Sequence, residues 1–328
     1  MTAISAVISC DDSVKSWLIP PNSWRDGTIN PRHFLTLTDL SARELRELIE
    51  RALAMKRGRW SGRPLEGRTA GLLFAKSSTR TRVSFEVGIG QLGGHSLFLS
   101  PRDVQVRRGE PVADTARVLS RYLDLLVIRW HAHEELQEFA RWSGVPVING
   151  LTDLTHPCQV LADLVTLAER RSDLDRLTVA WIGDANNMLH SWIEASSLIG
   201  LELRIATPPG FEPDPAQVDG ANRAGGRIMV THDPMEAVSG ADVVTTDVWV
   251  SMGQEDEKEA RRAAFRDYTV DAALMKSAKP EAVFLHCLPA HRGEEVTNEV
   301  LEGPRSLVWD EAENRLHAQK SLLVTLLG

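Results

Sequence analysis

The chain has 328 residues, of which 43% are apolar and 25% charged, a composition typical of a folded globular protein. Lys and Arg number 37 against 45 Asp and Glu, and this net charge of −8 excludes a nucleic-acid binder that relies on overall positive charge. Three scattered cysteines exclude a disulfide scaffold, and no apolar stretch reaches the ~18–20 residues of a membrane span, so we expect a cytoplasmic protein without a membrane partner.

The first predicted elements are an irregular arm and a helix. Residues 1–33 show no sustained periodicity and include a Pro-Pro pair, which is typical of irregular structure. The first helix is predicted to begin at Ser41, because Ser41 and Glu44 match a capping box and apolar residues then recur at helical spacing.

Short apolar runs then alternate with helical segments, a pattern that predicts βαβ units and a mainly parallel sheet. Nine runs are predicted strands: 71–74, 96–99, 125–128, 145–148, 178–182, 203–206, 227–230, 242–245 and 283–285. Residues 160–169 are predicted to form a helix that joins two halves, and residues 314–327 a closing helix. At roughly 150 residues per domain, the length also favours two domains.

The predicted fold class is therefore α/β, with two domains that are each a mainly parallel sheet flanked by helices. We place the first domain at 34–155 and the second at 156–305, beginning with a linking helix at 156–170. Residues 306–328 are predicted to form a C-terminal helix that returns to the first domain.

Ligands bind beyond the carboxyl ends of strands in open parallel sheets, and residues 78–82, Ser-Thr-Arg-Thr-Arg, follow the first predicted strand. Free N–H groups at a helix start, several hydroxyls and a guanidinium form a phosphate cradle. A helix cap beside solvated arginines is the alternative interpretation. The dense alternation of hydroxyls and arginines favours the anion site.

Further candidates follow later strands. Arg129 comes directly after an apolar run and is either a second cation for the same anion or a surface arginine. His156 and Gln159 lie three residues apart at a helix start, so they share a face and could donate to one carbonyl-type oxygen. An ordinary loop-to-helix turn would show the same spacing.

The second half offers a carboxylate and a thiol. Asp247 and Ser251 lie four residues apart, and the Asp247 carboxylate is suited either to an ammonium group or to a helix cap. A nucleophilic Cys287 would need a base, and His286 is its neighbour. Adjacent residues on a strand point to opposite faces, which favours a buried structural Cys287 unless the substrate reaches it.

One motif is misleading. Residues 88–93 match G-x-G-x-x-G, but they fall within or at the end of a predicted helix and precede a strand. A dinucleotide site needs the opposite order, strand before and helix after. The motif therefore predicts no nicotinamide cofactor.

Taken together, the motifs resemble those of the aspartate/ornithine carbamoyltransferase family, over about residues 33–328. Ser-Thr-Arg-Thr-Arg at 78–82 and His-Pro-Cys-Gln at 156–159 are shared across that family. Asp-Val-Trp-Val-Ser-Met-Gly at 247–253 and His-Cys-Leu-Pro at 286–289 point to ornithine within it, and residues 310–315 are also family-like. The resemblance implies a first domain that binds carbamoyl phosphate, a second that binds L-ornithine, an active site in the cleft between the two domains, and a homotrimer or a multiple of trimers.

The resemblance also implies residue roles. The expected carbamoyl phosphate site consists of Ser78, Thr79, Arg80, Thr81, Gln105, Arg129, His156, Gln159, Cys287, Leu288 and Arg315. The expected ornithine site consists of Asn187, Asp247, Ser251 and Met252. The residues expected to act in catalysis are Arg80, Arg129, His156, Asp247 and Cys287. Gln105 would reach a neighbouring subunit's site, although Val104, Val106 and Arg107 depart from the family pattern there.

The implied reaction is direct attack of the neutral side-chain amine of ornithine on carbamoyl phosphate, giving L-citrulline and phosphate without a metal or cofactor. We expect it to serve arginine biosynthesis. One alternative is transfer to another amine, such as N-acetylornithine or putrescine. The other is a non-catalytic paralog that binds carbamoyl phosphate, which would be expected to lack Arg80, His156 or Cys287, all of which this chain has.

Overall fold

The computed structural model describes residues 31–100, 109–250 and 255–327. Three predicted site residues, Gln105, Ser251 and Met252, lie outside these ranges. In the part that is described, no helix combines the length and the apolar character needed to cross a bilayer.

The first half contains a four-stranded parallel sheet. Its strands are β1 (Thr69–Phe74), β2 (His95–Leu99), β3 (Leu125–Arg129) and β4 (Val147–Leu151), in the order β2-β1-β3-β4. Its helices are α1 (Ala42–Lys56), α2 (Thr79–Gln91), α3 (Val112–Leu119) and α4 (His133–Trp142). The central strands β1 and β3 are almost wholly buried, which is why they are continuous apolar runs in the sequence.

The second half contains a five-stranded parallel sheet. Its strands are β5 (Thr178–Ile182), β6 (Glu202–Ala206), β7 (Arg227–Thr231), β8 (Val243–Thr246) and β9 (Val283–His286), in the order β7-β6-β5-β8-β9. The helices are α6 (Asn187–Ile199), α7 (Pro215–Arg223), α8 (Pro234–Val238), α9 (Lys258–Phe265), α10 (Ala272–Ser277) and α11 (Asn298–Leu301). The predicted fold class is confirmed.

Two helices, α5 (Pro157–Ala168) and α12 (Val308–Leu327), connect the halves. Helix α5 is buried along nearly its whole length, and α12 packs against α5, α1 and α2. One continuous apolar cluster includes Leu72 of β1, Leu161 of α5 and Val179 of β5. The two sheets are therefore joined by a shared core, while the boundaries proposed at 155/156 and 305/306 stay predictions.

Local signals explain how several elements begin. The Ser41 hydroxyl accepts a hydrogen bond from the Glu44 N–H at 3.2 Å, and the Glu44 carboxylate accepts one from the Ser41 N–H at 2.8 Å. This confirms the predicted capping box and the start of α1. Strand β4 begins after Pro146 and continues through Gly150, so it lies later than predicted. Proline cannot donate to a sheet, which explains the shift.

Candidate active site

A cavity of about 860 Å³ lies between the two sheets, at the carboxyl ends of six strands. The predicted site residues that line it are Ser78, Thr79, Arg80, Thr81, Arg129, His156, Asn187, Asp247, Cys287, Leu288 and Arg315. Gln159 lies behind the cavity wall. The structure therefore brings together motifs that are more than 200 residues apart in the chain.

The N-terminus of α2 forms one wall of the cavity. Ser78 is its N-cap, and the Ser78 hydroxyl accepts a hydrogen bond from the Thr81 N–H at 3.2 Å. The first N–H groups of a helix have no partner within the helix, and the helix dipole makes this end positive. The predicted helix start is confirmed, and this end of α2 is suited to an anion.

Two buried arginines face the same region. Arg129 at the end of β3 is 6% exposed, and Arg315 on α12 is 3% exposed. Arg315 donates from Nη2 to the Thr81 hydroxyl at 2.7 Å and from Nη1 to Oε1 of Gln159. The Nε atoms of both arginines are buried, and neither has a hydrogen-bond partner among the described residues. Buried donors normally have acceptors, so unpaired guanidinium N–H groups are typical of a site that binds one.

The electrostatics of this region are those of an anion site. Burial, with the neighbouring Arg315 and Arg80, lowers the pKa of Arg129 to about 10. Burial and the same arginines hold the pKa of His156 well below its ordinary value, so His156 is neutral at pH 7. The repulsion among the three guanidinium groups would be relieved by a bound anion.

Arg80 connects the two halves across the cavity. Its Nη2 donates to the backbone carbonyl of Leu288 at 2.5 Å. Leu288 follows β9 and has a φ of 56°, in the left-handed region that L-residues adopt rarely. Strain of this kind is concentrated at functional sites, and here it accompanies a carbonyl directed at Arg80.

Asp247 is the centre of the opposite wall. Its carboxylate accepts hydrogen bonds from Asn186 Nδ2 at 2.7 Å, from the Val248 N–H at 2.8 Å and from the Cys287 thiol at 3.1 Å. Burial and the Asp247 charge hold the pKa of Cys287 well above its ordinary value, so the thiol stays protonated. Nearby, Asn187 donates from Nδ2 to the Thr152 carbonyl at 2.6 Å.

His286 makes its hydrogen bonds to groups other than Cys287, although one of its ring nitrogens lies within 4.8 Å of both the Cys287 sulfur and an Asp247 oxygen. Its Nδ1 accepts from the Leu288 N–H at 2.9 Å, and Nε2 lies 3.2 Å from Oε1 of Glu295. Because Nδ1 is the acceptor, Nε2 carries the hydrogen and donates to Glu295. His286 is therefore not the base of a Cys–His pair and instead holds the backbone that follows β9.

Several side chains around the cavity were not singled out from the sequence. Two ion pairs contribute to its lining: Lys76 with Asp153, and Arg261 Nη1 with Asp184 Oδ2 at 2.9 Å. The partners are 77 residues apart in each pair, so no local pattern reveals them. Arg261 also donates to the Trp249 carbonyl at 3.1 Å, next to the Asp247 motif.

A pair of buried carboxyls, Asp163 and Glu311, also lies behind the wall. Each is 1% exposed, and each accepts a hydrogen bond from Nε2 of Gln159, at 2.9 and 2.8 Å. The sequence indicates part of this cluster: Asp163 lies four residues after Gln159, and Glu311 lies four residues before Arg315, so each pair shares one face of its helix. The sequence does not show that α5 and α12 are in contact.

Comparison with known families assigns both halves. The family described as "Aspartate/ornithine carbamoyltransferase, carbamoyl-P binding domain" matches residues 32–169. The family described as "Aspartate/ornithine carbamoyltransferase, Asp/Orn binding domain" matches residues 175–326. Together they cover most of the chain.

Individual relatives support the same family assignment. The ornithine carbamoyltransferase of Methylococcus capsulatus is 58% identical over 299 residues, 91% of this chain and 99% of its own length. The structure of the Pyrococcus furiosus ornithine carbamoyltransferase superimposes with a TM-score of 0.86 at 48% identity, covering 92% of this chain and 98% of its own. The anabolic enzyme of that name from Campylobacter jejuni gives a TM-score of 0.86 at 43% identity, covering 90% and 98%. The cavity, the motifs that line it and these matches agree, and the chain belongs to the aspartate/ornithine carbamoyltransferase family.

Proposed function

We propose that this chain is an ornithine carbamoyltransferase, which converts carbamoyl phosphate and L-ornithine to L-citrulline and phosphate. The observation that carries the proposal is one cavity with an arginine-rich wall at 80, 129 and 315 facing a wall centred on the Asp247 carboxylate. The first wall suits a phosphate ester and the second an amino acid. The names of the relatives point to the same pair of substrates.

The arginine-rich wall is proposed to bind carbamoyl phosphate. Ser78, Thr79 and Thr81 at the start of α2, together with Arg80, would hold the phosphate group. The carbamoyl group would lie against a second set of donors and neighbours: Arg129, His156, Cys287, Leu288 and Arg315. Gln159 contributes through its contact with Arg315, and Gln105 would contribute to the site of a neighbouring subunit.

The opposite wall is proposed to bind ornithine. Asn187 and Asp247 lie there, and Ser251 and Met252 follow Asp247 closely in the chain. A carboxylate is the natural partner of the α-ammonium group, and an amide of the α-carboxylate. This leaves the side-chain amine of ornithine free to extend toward the carbamoyl group.

The reaction needs no covalent enzyme intermediate. The neutral amine forms a C–N bond with the carbonyl carbon, the C–O bond to phosphate breaks, and the amine loses a proton. Charge develops on the carbonyl oxygen and on the departing phosphate. Fixed donors such as His156, Arg129 and Thr81 are worth ~10²–10³ in rate each at such an oxygen. Alkylamines have pKa values near ~10, and desolvation in the cleft favours the neutral form that attacks.

The deciding experiment measures citrulline formation by the purified protein, with ornithine, N-acetylornithine, putrescine and aspartate compared at equal concentration. We expect fast turnover that is selective for ornithine. Turnover of another amine but not of ornithine would favour the first alternative. Binding of carbamoyl phosphate without turnover of any amine would favour the non-catalytic paralog.

We also propose a homo-oligomer, a trimer or a multiple of trimers, acting in arginine biosynthesis in the cytoplasm. Val83, Val87 and Leu97 are 49%, 42% and 50% exposed, on α2 and on the edge strand β2. Such apolar exposure beside a sheet edge favours contact with another copy. Sedimentation would test the size, and restoration of growth in an arginine auxotroph would test the direction. A monomer at micromolar concentration contradicts the assembly.

A further inference from the structure

We propose that Asp163 and Glu311 share one proton and act as positioning residues. They fix the orientation of Gln159, and Gln159 in turn fixes the position of Arg315 in the arginine-rich wall of the cavity. The part of this inference that concerns carbamoyl phosphate rests on the proposed function. The shared proton does not, and it can be tested without any substrate.

The geometry requires the carboxyls to be close. Asp163 on α5 and Glu311 on α12 accept from the same Nε2 atom of Gln159, at 2.9 and 2.8 Å, which brings the two carboxyls within reach of a direct hydrogen bond. Both side chains are withdrawn from water. Two carboxylates at this separation in a dry interior repel too strongly for both to be ionised, so one holds a proton and donates it to the other.

The orientation of Gln159 follows from its partners. Arg315 has only donors, so the Gln159 oxygen must face Arg315 and the Gln159 NH₂ group must face the carboxyls. Both amide hydrogens are then occupied by Asp163 and Glu311. The carboxyl pair therefore fixes the amide, and the amide fixes the guanidinium that also donates to Thr81.

The same cluster extends to the other wall of the cavity. The second carboxyl oxygen of Glu311 accepts from the His286 N–H at 2.9 Å, one residue before Cys287. Glu311 thus ties α12 to both α5 and the end of β9. Displacing it would move both the arginine-rich wall and the segment that carries Cys287 and Leu288.

The charged and titratable groups around the pair favour a single negative charge. Arg315 on α12 stabilises one carboxylate, whereas the charge of Asp247 after β8 opposes a second; the nearby thiol of Cys287 after β9 is protonated and adds no charge. Burial raises the pKa of Asp163 to about 7, and burial with Asp163 holds the pKa of Glu311 well above its ordinary value. The pair therefore keeps a proton at pH 8, where ordinary carboxyl groups are ionised.

Asp163→Asn tests for the shared proton separately from the positioning role. The amide that replaces the carboxyl can still accept from Gln159 and can donate to Glu311, which then needs no proton. In infrared spectra at pH 8, without substrate, we expect the wild-type protein to show a protonated-carboxyl C=O band that Asp163→Asn lacks. Circular dichroism establishes that both proteins are folded. Identical spectra in the C=O region of protonated carboxyls would overturn the shared proton.

Kinetics test the positioning role. Asp163→Ala removes an acceptor from Gln159 and is expected to raise the KM for carbamoyl phosphate about tenfold, the factor that ~1.4 kcal/mol corresponds to. The KM for ornithine should change much less. Asp163→Asn should restore the carbamoyl phosphate KM to within about twofold of wild type at pH 8.

Thr166→Val is the matched control. It also removes a buried hydrogen bond between α5 and α12, the one from Asn314 Nδ2 to Thr166 Oγ1 at 3.0 Å, but this bond does not involve Gln159. It should lower stability without changing the carbamoyl phosphate KM. An unchanged KM in Asp163→Ala, or an equal rise in Thr166→Val, contradicts the positioning role. If no amine is turned over, the proposed function fails, while the infrared comparison and calorimetric binding of inorganic phosphate still decide this proposal.

Discussion

At the scale of residues, the site consists of side chains that line the cavity and side chains that hold them. Arg80, Arg129 and Asp247 are of the first kind and were predicted, because polar residues directly after apolar strands have a recognisable chemistry. Asp163 and Glu311 are of the second kind and were not. Gln159 and Glu311 are 152 residues apart, and only the packing of α5 on α12 brings them together.

Arg80→Ala should lower kcat/KM by ~10²–10³, because in the proposed reaction the departing phosphate loses a fixed cation. Arg82→Ala is the control on the same helix, since Arg82 pairs with Glu86 at 2.9 Å and stacks on Phe98 outside the cavity. Steady-state rates of citrulline formation make the comparison. Equal losses in the two variants would show that the phosphate lies elsewhere.

Cys287 should behave as a neutral thiol. Burial and the Asp247 charge hold its pKa well above the ordinary 9.0, so the thiol stays protonated at neutral and mildly alkaline pH. We expect iodoacetamide at pH 8 to modify Cys287 in the folded protein far more slowly than in the unfolded chain, as mass spectrometry of the peptides would measure. Cys287→Ser should keep turnover within about tenfold of wild type. Complete loss of activity in a folded Cys287→Ser protein would instead indicate a nucleophile.

At the scale of elements, all nine predicted strands are present. The inner strands β1, β3 and β5 are recognisable because strands buried in parallel sheets are apolar along their whole length, whereas the edge strands β2 and β7 are largely exposed. The helices α8, α10 and α11 have only four to six residues, too few for a helical period to be recognised. Helix α12 begins at Val308, inside the segment 306–328 predicted as a C-terminal helix but six residues before the periodic part at 314–327. Its first turn is acidic and lies partly under β9, so its sequence lacks the apolar pattern of a surface helix.

One contact between elements should make stability depend on pH. Glu194 on α6 accepts from the Leu37 N–H at 2.9 Å, and burial raises its pKa to about 7 from the ordinary 4.5. Between these values the unfolded chain releases a proton that the folded protein keeps, so this group lowers stability as the pH rises from 4.5 to 7. In Glu194→Gln this side chain does not titrate, so this loss of stability is absent.

Relative to wild type, Glu194→Gln should therefore be more stable at pH 8 than at pH 4.5 by about 1–3 kcal/mol, a range reduced for the partial exposure of the side chain. Urea unfolding at the two pH values measures it. If the difference in the free energy of unfolding between wild type and Glu194→Gln is the same at both pH values, the prediction is wrong.

At the scale of the whole molecule, the two sheets share a core through α5 and α12. Leu161 is fully buried within it, and its contacts connect to both halves. A shared core couples the stability of its parts, so the halves are expected to unfold together.

Leu161→Ala should lower the free energy of unfolding by about 2–5 kcal/mol and leave a single transition. Leu154→Ala is the control, since that side chain is 42% exposed and should cost much less. Far-ultraviolet circular dichroism and tryptophan fluorescence should give coincident midpoints. Two separated transitions would mean that the halves are stable on their own.

The packing of α12 on α1 and α2 also has a consequence for how the protein is made. Ser321 of α12 donates to the Leu48 carbonyl of α1 at 2.8 Å, and Leu322 and Leu323 are fully buried in the shared core. Translation at ~5–20 residues per second takes roughly ten to thirty seconds to pass from the end of β4 to α12. During that interval the first sheet leaves the ribosome with part of its apolar surface uncovered. The nascent chain should therefore be a client of chaperones until its last helix is released.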